Sequence, residues 1–196
     1  MKNNIELIIN SFSKSKETIL SNLSNQNFIE SINIAADLLV ETYRLGGKVL
    51  LAGNGGSAAD CQHICAELVG RLNFDRNPLP AIALTTNTSN LTCISNDYGY
   101  SNVFLRQLDA LAHKNDSLIV YTTSGTSSNI LKLLENAKDK VKSVISLTGK
   151  NVTQLQNLSD VVISVESDQT TKIQEIHAIA GHVLCECIEE NIFNKS

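Results

Sequence analysis

Two short stretches carry the side chains most able to do chemistry. In "CQHICAEL" His63 and Glu67 stand four residues apart, so on a helix they share one face. In "TKIQEIHAIAGHVL" Gln174 and His182 are eight apart, about 80° around a helix, so both can face one cleft. His177 lies about 140° from His182 on the same geometry and points elsewhere. Two imidazoles and a carboxylate can bind zinc, with Gln as a less usual oxygen donor. The same Glu and His can also serve as general base and acid. Spacing alone favours an ordinary exposed helical pair, since i,i+4 polar pairs are common. Cys61-x-His63-x-Cys65 offers a rival metal set, but on a helix His63 points about 160° away from both cysteines. Cys185 and Cys187 are similarly splayed. The five cysteines therefore read as small core residues or bystanders.

Two loops suit an anion. "GNGGSAAD" begins at Gly53, and its glycines let backbone N–H groups approach closely, with Ser57 able to cap the following helix or bind a ligand. "TTSGTSSN" begins at Thr122 and offers a run of hydroxyls around Gly125. Gly53, Gly55 and Ala58 also fit the weak G-x-G-x-x-A dinucleotide fingerprint, but "AIALTTNTSN" brings no acid for a ribose. No Gly-Lys-Ser/Thr occurs, which excludes a Walker loop. A plain tight turn accounts for the first loop by itself; the second loop favours a phosphorylated small molecule.

These residues need a scaffold. The apolar positions predict helices over 4–24 and 27–45, the second stopped by Gly46–Gly47. Strand and helix then alternate. "KVLLAG", "AIALTT", "SLIVYTT", "KSVISLTG" and "VVISV" read as buried strands. Helices are expected at 57–72, near 88–95, at 101–113, at 128–139, near 151–157 and at 171–193. Five short apolar strands between helices make an α/β, three-layer sandwich around a parallel sheet. Ligands of such sheets bind beyond the carboxyl ends of the strands. The two N-terminal helices stand outside this alternation and either cap the sheet or pack on another subunit.

The 196 residues suit one domain with a sizeable core. Net charge is −4 without a basic block, which argues against nucleic-acid binding. The N-terminal stretch is too polar for a signal peptide, and no apolar run approaches the ~20 residues of a membrane helix. An odd cysteine count of five, without a disulfide spacing, adds to the expectation of a cytoplasmic protein.

Four ordered segments, "LLAGNGGSAADCQHICAELVGRL", "AIALTTNTSNLTCISNDYGY", "YTTSGTSSNILKLLENAK" and "TTKIQEIHAIAGHVLCECIE", resemble the sedoheptulose 7-phosphate isomerases, or phosphoheptose isomerases, of the sugar isomerase (SIS) superfamily. The resemblance implies a single SIS domain over 1–196 with a five-stranded flavodoxin-like sheet, residues 1–46 adding a helical pair to oligomer packing. It implies a cytoplasmic homotetramer with active sites between subunits. Sedoheptulose 7-phosphate and D-glycero-D-manno-heptose 7-phosphate would be interconverted through an enediol, opening the route to activated heptose for surface polysaccharide. By motif, one zinc ion per subunit falls to His63, Glu67, Gln174 and His182, with Glu67 and His182 catalytic. Sugar-phosphate contacts fall to Asn54, Gly55, Gly56 and Ser57, to Asn96 and Asp97, to Thr122, Thr123, Ser124 and Ser127, and to Gln174. A carboxylate bound to a cation is a weaker base, so either Glu67 leaves the metal in turnover or another group is the base. Thr122-Thr123 replaces the family's usual Ser-Thr, and Asn87 stands where Asp is common. The rivals are a replication-initiator-binding SIS protein, which resembles the isomerases but lacks the Glu and the final His, and an SIS isomerase of another sugar phosphate. Glu67 and His182 favour the heptose enzyme over the first.

Overall fold

The computed structural model describes residues 4–194. Helices α1 (Asn4–Leu23) and α2 (Gln26–Arg44) precede β1 (Val49–Gly53), α3 (Gly56–Val69) and β2 (Ala81–Ala83). Then come α4 (Thr88–Tyr98), a 3-10 turn (Tyr100–Asn102), α5 (Leu105–Leu111), β3 (Ser117–Tyr121) and α6 (Ser128–Glu135). Strands β4 (Ser143–Thr148) and β5 (Val161–Ser164) and the long α7 (Thr170–Phe193) complete the chain. Two expectations need correction. The segment 101–113 divides into the 3-10 turn and α5, and the short helix expected near 151–157 is a succession of turns. There the Leu155 and Gln156 N–H groups both donate to the Val152 carbonyl, and Leu158 to Leu155. The apolar residues Val152, Leu155 and Leu158 recur every third position, the period of a 3-10 turn and not of an α-helix.

The strands form one all-parallel sheet in the order β2-β1-β3-β4-β5, with Leu50 opposite Leu118, Ile119 opposite Ile145 and Leu147 opposite Ile163. Every residue of β1 and β3 is buried, because helices cover both faces. On one face Leu51, Ile119 and Leu147 meet Leu39 of α2, Ile64 and Leu68 of α3, and Leu184 of α7. On the other, Leu50, Leu118 and Val120 meet Phe104, Leu108, Ile130 and Leu133. The strand order reverses direction between β1 and β3, which opens a crevice at their carboxyl ends.

The two leading helices behave differently. α2 is capped by Asn25, whose side chain accepts from the N–H groups of Asn27 and Phe28, and it buries Phe28, Ile32, Ala35 and Leu39. In α1 Asn22 alone is buried, and Phe12 is 74% exposed. The apolar stripe of α1 is thus largely exposed, with Ile5, Leu7, Ile8 and Ile9 each more than half so. An apolar groove of about 220 Å³, lined by Ile19, Leu23, Phe28, Ile176 and Val183, runs between α1, α2 and α7. Among the described residues no helix is long and apolar enough to cross a membrane.

At the opposite, amino end of the sheet, Asp116 ties β1 to β3. Its buried carboxylate accepts from the Lys48 N–H (2.9 Å), the His113 N–H (2.8 Å) and Lys48 Nζ (2.5 Å). Burial alone would raise its pKa, but the hydrogen bonds from Lys48 and His113 and the Lys48 charge outweigh this and hold it below the ordinary carboxylate value. The folded-state pKa is thus the lower one, so the stabilisation is complete above the unfolded value of about 3.9 and is lost as pH falls through the folded value. An Asp116→Asn exchange should cost about 2 kcal/mol at neutral pH, or roughly 4–8 °C in a domain of this size. It should also flatten the melting-temperature decline between about pH 5 and pH 2. Thermal melts across that range check both; coincident curves for the two proteins would remove Asp116 from this role.

Candidate active site

The carboxyl ends of β1 and β3 lie side by side, with Gly53 opposite Tyr121. A cleft of about 240 Å³ opens above them. The first loop contributes Asn54, Gly55, Gly56 and Ser57, and the second Thr122, Thr123, Ser124 and Ser127. Gln174 and Thr170 of α7 close the third side. Three helices therefore begin at this cleft: α3 at Gly56, α6 at Ser128 and α7 at Thr170. Their first N–H groups lack intrahelical partners and their dipoles present positive ends, so an anion is favoured with no lysine or arginine in the lining. The fit depends on backbone geometry. Gly55 has φ +57°, and Gly125 has φ +67° with the Asn151 carbonyl 2.6 Å from where a Cβ would stand.

The hydroxyls of the second loop also shape it. Thr122 Oγ1 accepts from the Gly125 N–H at 3.2 Å, which leaves its own proton for a ligand. Ser124 Oγ accepts from the Thr126 N–H at 3.2 Å and from Thr126 Oγ1 at 3.1 Å. The two loops are locked together by Asn54 and Asn129, whose side-chain amides exchange two hydrogen bonds of 2.9 Å. Tyr100 adds a third, its OH donating to Asn54 Oδ1 at 3.0 Å. The Asn54 side chain is thus largely spent on holding the loop. Ser57 is buried at the second position of α3, so it is no cap; the N-cap is Gly55. Asn96 and Asp97 are not brought into the cleft lining: they are exposed on α4, with Asn96 Nδ2 donating to Asp97 Oδ1 at 2.7 Å. Asn87, in place of an acid, still caps α4 by accepting from the Asn90 N–H at 3.0 Å.

Farther along α3 the spaced acid–base residues meet. His63 Nε2 lies 3.2 Å from Glu67 Oε1 and 3.2 Å from His182 Nε2. Ligand atoms of all three lie within 4.8 Å of one another. The approach of α7 to α3 depends on Gly181, beside His182: a Cβ there would stand 2.6 Å from Ile64 Cδ1 and 2.9 Å from the Tyr121 hydroxyl. Gln174 packs its amide against Gly56 at the cleft, so the first turns of α7 reach the anion loop and its middle, at His182, the imidazole pair. Two imidazole nitrogens and a carboxylate oxygen converging in this way are a donor set suited to a borderline divalent cation. His177, as its helical angle predicts, turns away. It is buried against Tyr121 with ring centroids 5.7 Å apart, and burial pushes its pKa down to about 4, against a smaller opposing effect of the Thr148 backbone. The cysteines are all free; Cys61 and Cys185 are buried, and Cys93 is exposed.

A doubly wound sheet with an anion cleft and an imidazole–carboxylate cluster fed by the same two helices defines a sugar-phosphate-handling SIS protein, and residues 11–149 match the SIS domain family. The chain is 46% identical over 188 residues to the phosphoheptose isomerase of Burkholderia pseudomallei, covering 96% of this chain and 95% of that one. It is 45% identical over 191 residues to that of Helicobacter pylori, covering 97% and 98%. The solved phosphoheptose isomerase of Francisella tularensis superposes with a TM-score of 0.90 at 37% identity, covering 96% of this chain and 99% of that one. The chain belongs to the phosphoheptose isomerase family, a family of aldose–ketose isomerases.

Two site features escaped the sequence. Thr170 reaches the cleft only because α7 begins there, and the hydroxyl-rich "QTT" at the start of a helix was the available signal. Tyr100 acts through Asn54, 46 residues away, and no local pattern reports such a contact.

Proposed function

We propose that the chain interconverts D-sedoheptulose 7-phosphate and D-glycero-D-manno-heptose 7-phosphate, the first step toward nucleotide-activated heptose for lipopolysaccharide core or capsule. The observation that carries this is the layout of α3. Its amino end forms the anion cleft, and His63 stands seven residues on, about 10 Å along the axis. That rise matches the span of an open-chain heptose phosphate between its phosphate and C1–C2. The cleft fixes the far end of the sugar, which converts a loose encounter into a positioned one. Glu67 takes the proton from the carbon next to the carbonyl, and His182 donates and recovers a proton at the oxygens, giving a cis-enediol. Ser57, Thr122 and Thr123 hold the phosphate through hydroxyls and N–H groups, with Ser124 and Ser127 at the entrance to α6.

His63, Glu67, Gln174 and His182 would hold one zinc ion per subunit, which when bound supplies Lewis-acid polarisation of the sugar oxygens. His63 is 47% and Glu67 22% exposed in the single chain, a site too open to keep water from an enediol. This, with the exposed apolar face of α1, supports a homotetramer in which neighbouring subunits complete the sites, bringing cover to the region of Asn96 and Asp97. Five free cysteines fit action in the cytoplasm.

The test follows purified protein with sedoheptulose 7-phosphate by NMR, before and after chelation and after zinc is restored. The aldoheptose phosphate should form, stop forming on chelation and form again with zinc. Turnover that survives verified metal removal would discard the metal's part and keep the isomerase. No product from folded, zinc-loaded protein would sink the assignment and bring forward a different sugar phosphate or a non-enzymatic SIS role.

A further inference from the structure

Arg76 and Glu189 form an ion pair whose side chains are 1% and 2% exposed. They are 113 residues apart in sequence, and neither belongs to the site described above. Glu189 accepts from the Arg76 Nε at 2.6 Å, from the Leu72 N–H at 3.0 Å and from the Asn73 N–H at 3.0 Å. The other side of the guanidinium faces α3. Arg76 Nη2 donates to the Glu67 carbonyl at 2.8 Å, and Nη1 to the Leu68 carbonyl at 2.9 Å. The Phe193 ring packs beside it, 5.4 Å from Cζ to the ring centroid.

These contacts have a direction. Glu67 and Leu68 lie in the last turn of α3, where backbone carbonyls lack intrahelical partners. Arg76 supplies a partner to the carbonyl of Glu67, the very residue whose side chain meets His63, and shares the Leu68 carbonyl with the Leu79 N–H at 3.0 Å. Glu189 lies seven residues beyond His182 on α7, about 20° around the helix and roughly 10 Å along it, hence on the same face. One planar fork thus bridges the backbone of Glu67 to the α7 face that bears His182. From this geometry we infer that Arg76 and Glu189 are a positioning pair: they set the height of Glu67 on α3 against His182 on α7, and so the aperture of the cation-holding and acid–base cluster. The inference rests on the reading of that cluster given under Proposed function. A fork is needed because one group must meet a carboxylate on one edge and two carbonyls on the other, which an ammonium cannot do.

The experiment compares the wild-type protein with Arg76→Lys and with the double variant Arg76→Met/Glu189→Met. Zinc affinity is read by competition with a chromophoric chelator, and kcat and KM by the NMR assay, beside thermal melts. Arg76→Lys keeps the charge beside Glu189 and releases the Glu67 carbonyl. It should weaken zinc binding and lower kcat, each by about 10–100-fold, as the loss of an outer partner of a metal ligand does. KM should move by less than about threefold, since the anion cleft is untouched. The double variant removes both buried charges together, so no unpaired charge is left inside the fold. The Leu72 and Asn73 N–H groups and the Glu67 carbonyl lose partners, so it should melt below the wild type yet stay folded at the assay temperature, with the same loss of zinc affinity and kcat. Variants that match the wild type in zinc affinity and kcat, with melting alone altered, would make the pair a fold contact and overturn the inference. A wild-type protein that neither binds zinc nor isomerises the sugar would overturn the reading of the site and this inference with it.

Discussion

Exchange of Glu67 for Gln should lower kcat by about 10²–10⁴-fold while the protein stays folded, if Glu67 is the proposed base. The side chain is 22% exposed and meets His63 at 3.2 Å, so the amide fits the same space. What the amide lacks is a lone pair basic enough to take a carbon-bound proton, and a charge to hold a cation. The two losses separate by experiment. In deuterated solvent the wild-type enzyme should wash deuterium into the substrate carbon next to the carbonyl, and the Glu67→Gln variant should not, even where excess zinc fills its weakened site. Turnover within about tenfold of wild type, with exchange intact, would move the base to another group of the cluster, His63 or His182.

The second large effect is expected at a glycine that does no chemistry. A Cβ on Gly56 would stand 2.4 Å from Gln174 Nε2 and 2.8 Å from its Cδ. The flexible amide must move, so Gly56→Ala should be tolerated by the fold. But Gln174 lines the anion cleft, and a displacement of about 1 Å there can cost 10²-fold in kcat/KM. Gly55→Ala is the contrasting control. Gly55 has φ +57° with open space around it, so alanine there costs about 1–2 kcal/mol of backbone strain without touching Gln174. Loss of kcat/KM in Gly56→Ala far beyond that in Gly55→Ala, with the opposite order in melting temperature, is the expected pattern. Equal kinetic losses would mean that the loop backbone matters and the Gln174 contact does not.

Much of this arrangement is legible in the residues. A helical period of 3.6 puts His63 with Glu67, separates His177 from His182 and sets His63 on the side away from Cys61, and each of these holds in three dimensions. Fully apolar strand runs correctly implied a sheet covered on both faces. Periodicity says which side of an element is apolar but not what covers it. The stripe of α1 reads like that of α2, yet one is exposed and the other buried. Segment 151–157 carries apolar residues at threes, which a period of 3.6 absorbs over so short a run. The Arg76–Glu189 bridge and the Tyr100–Asn54 contact leave no local signal, because the partners meet only when α7 and the 3-10 turn are in place. The placement of Asn96 and Asp97 outside the cleft lining belongs to the same class: a motif marks residues, and the surrounding chain decides what they face.

The amide pair between Asn54 and Asn129 also bears on how the protein ages. Asn54 precedes Gly55, and an Asn–Gly bond is the dipeptide most prone to spontaneous deamidation, in which the glycine nitrogen attacks the side-chain carbonyl carbon to close a succinimide ring. The three hydrogen bonds of about 3 Å that tie the Asn54 amide to Asn129 and Tyr100 must break before it can turn freely for that attack. The loop therefore keeps a chemically fragile residue only so long as it stays folded. Each unfolding excursion exposes it, and a carboxylate left there would face the very anion that the cleft is built to hold.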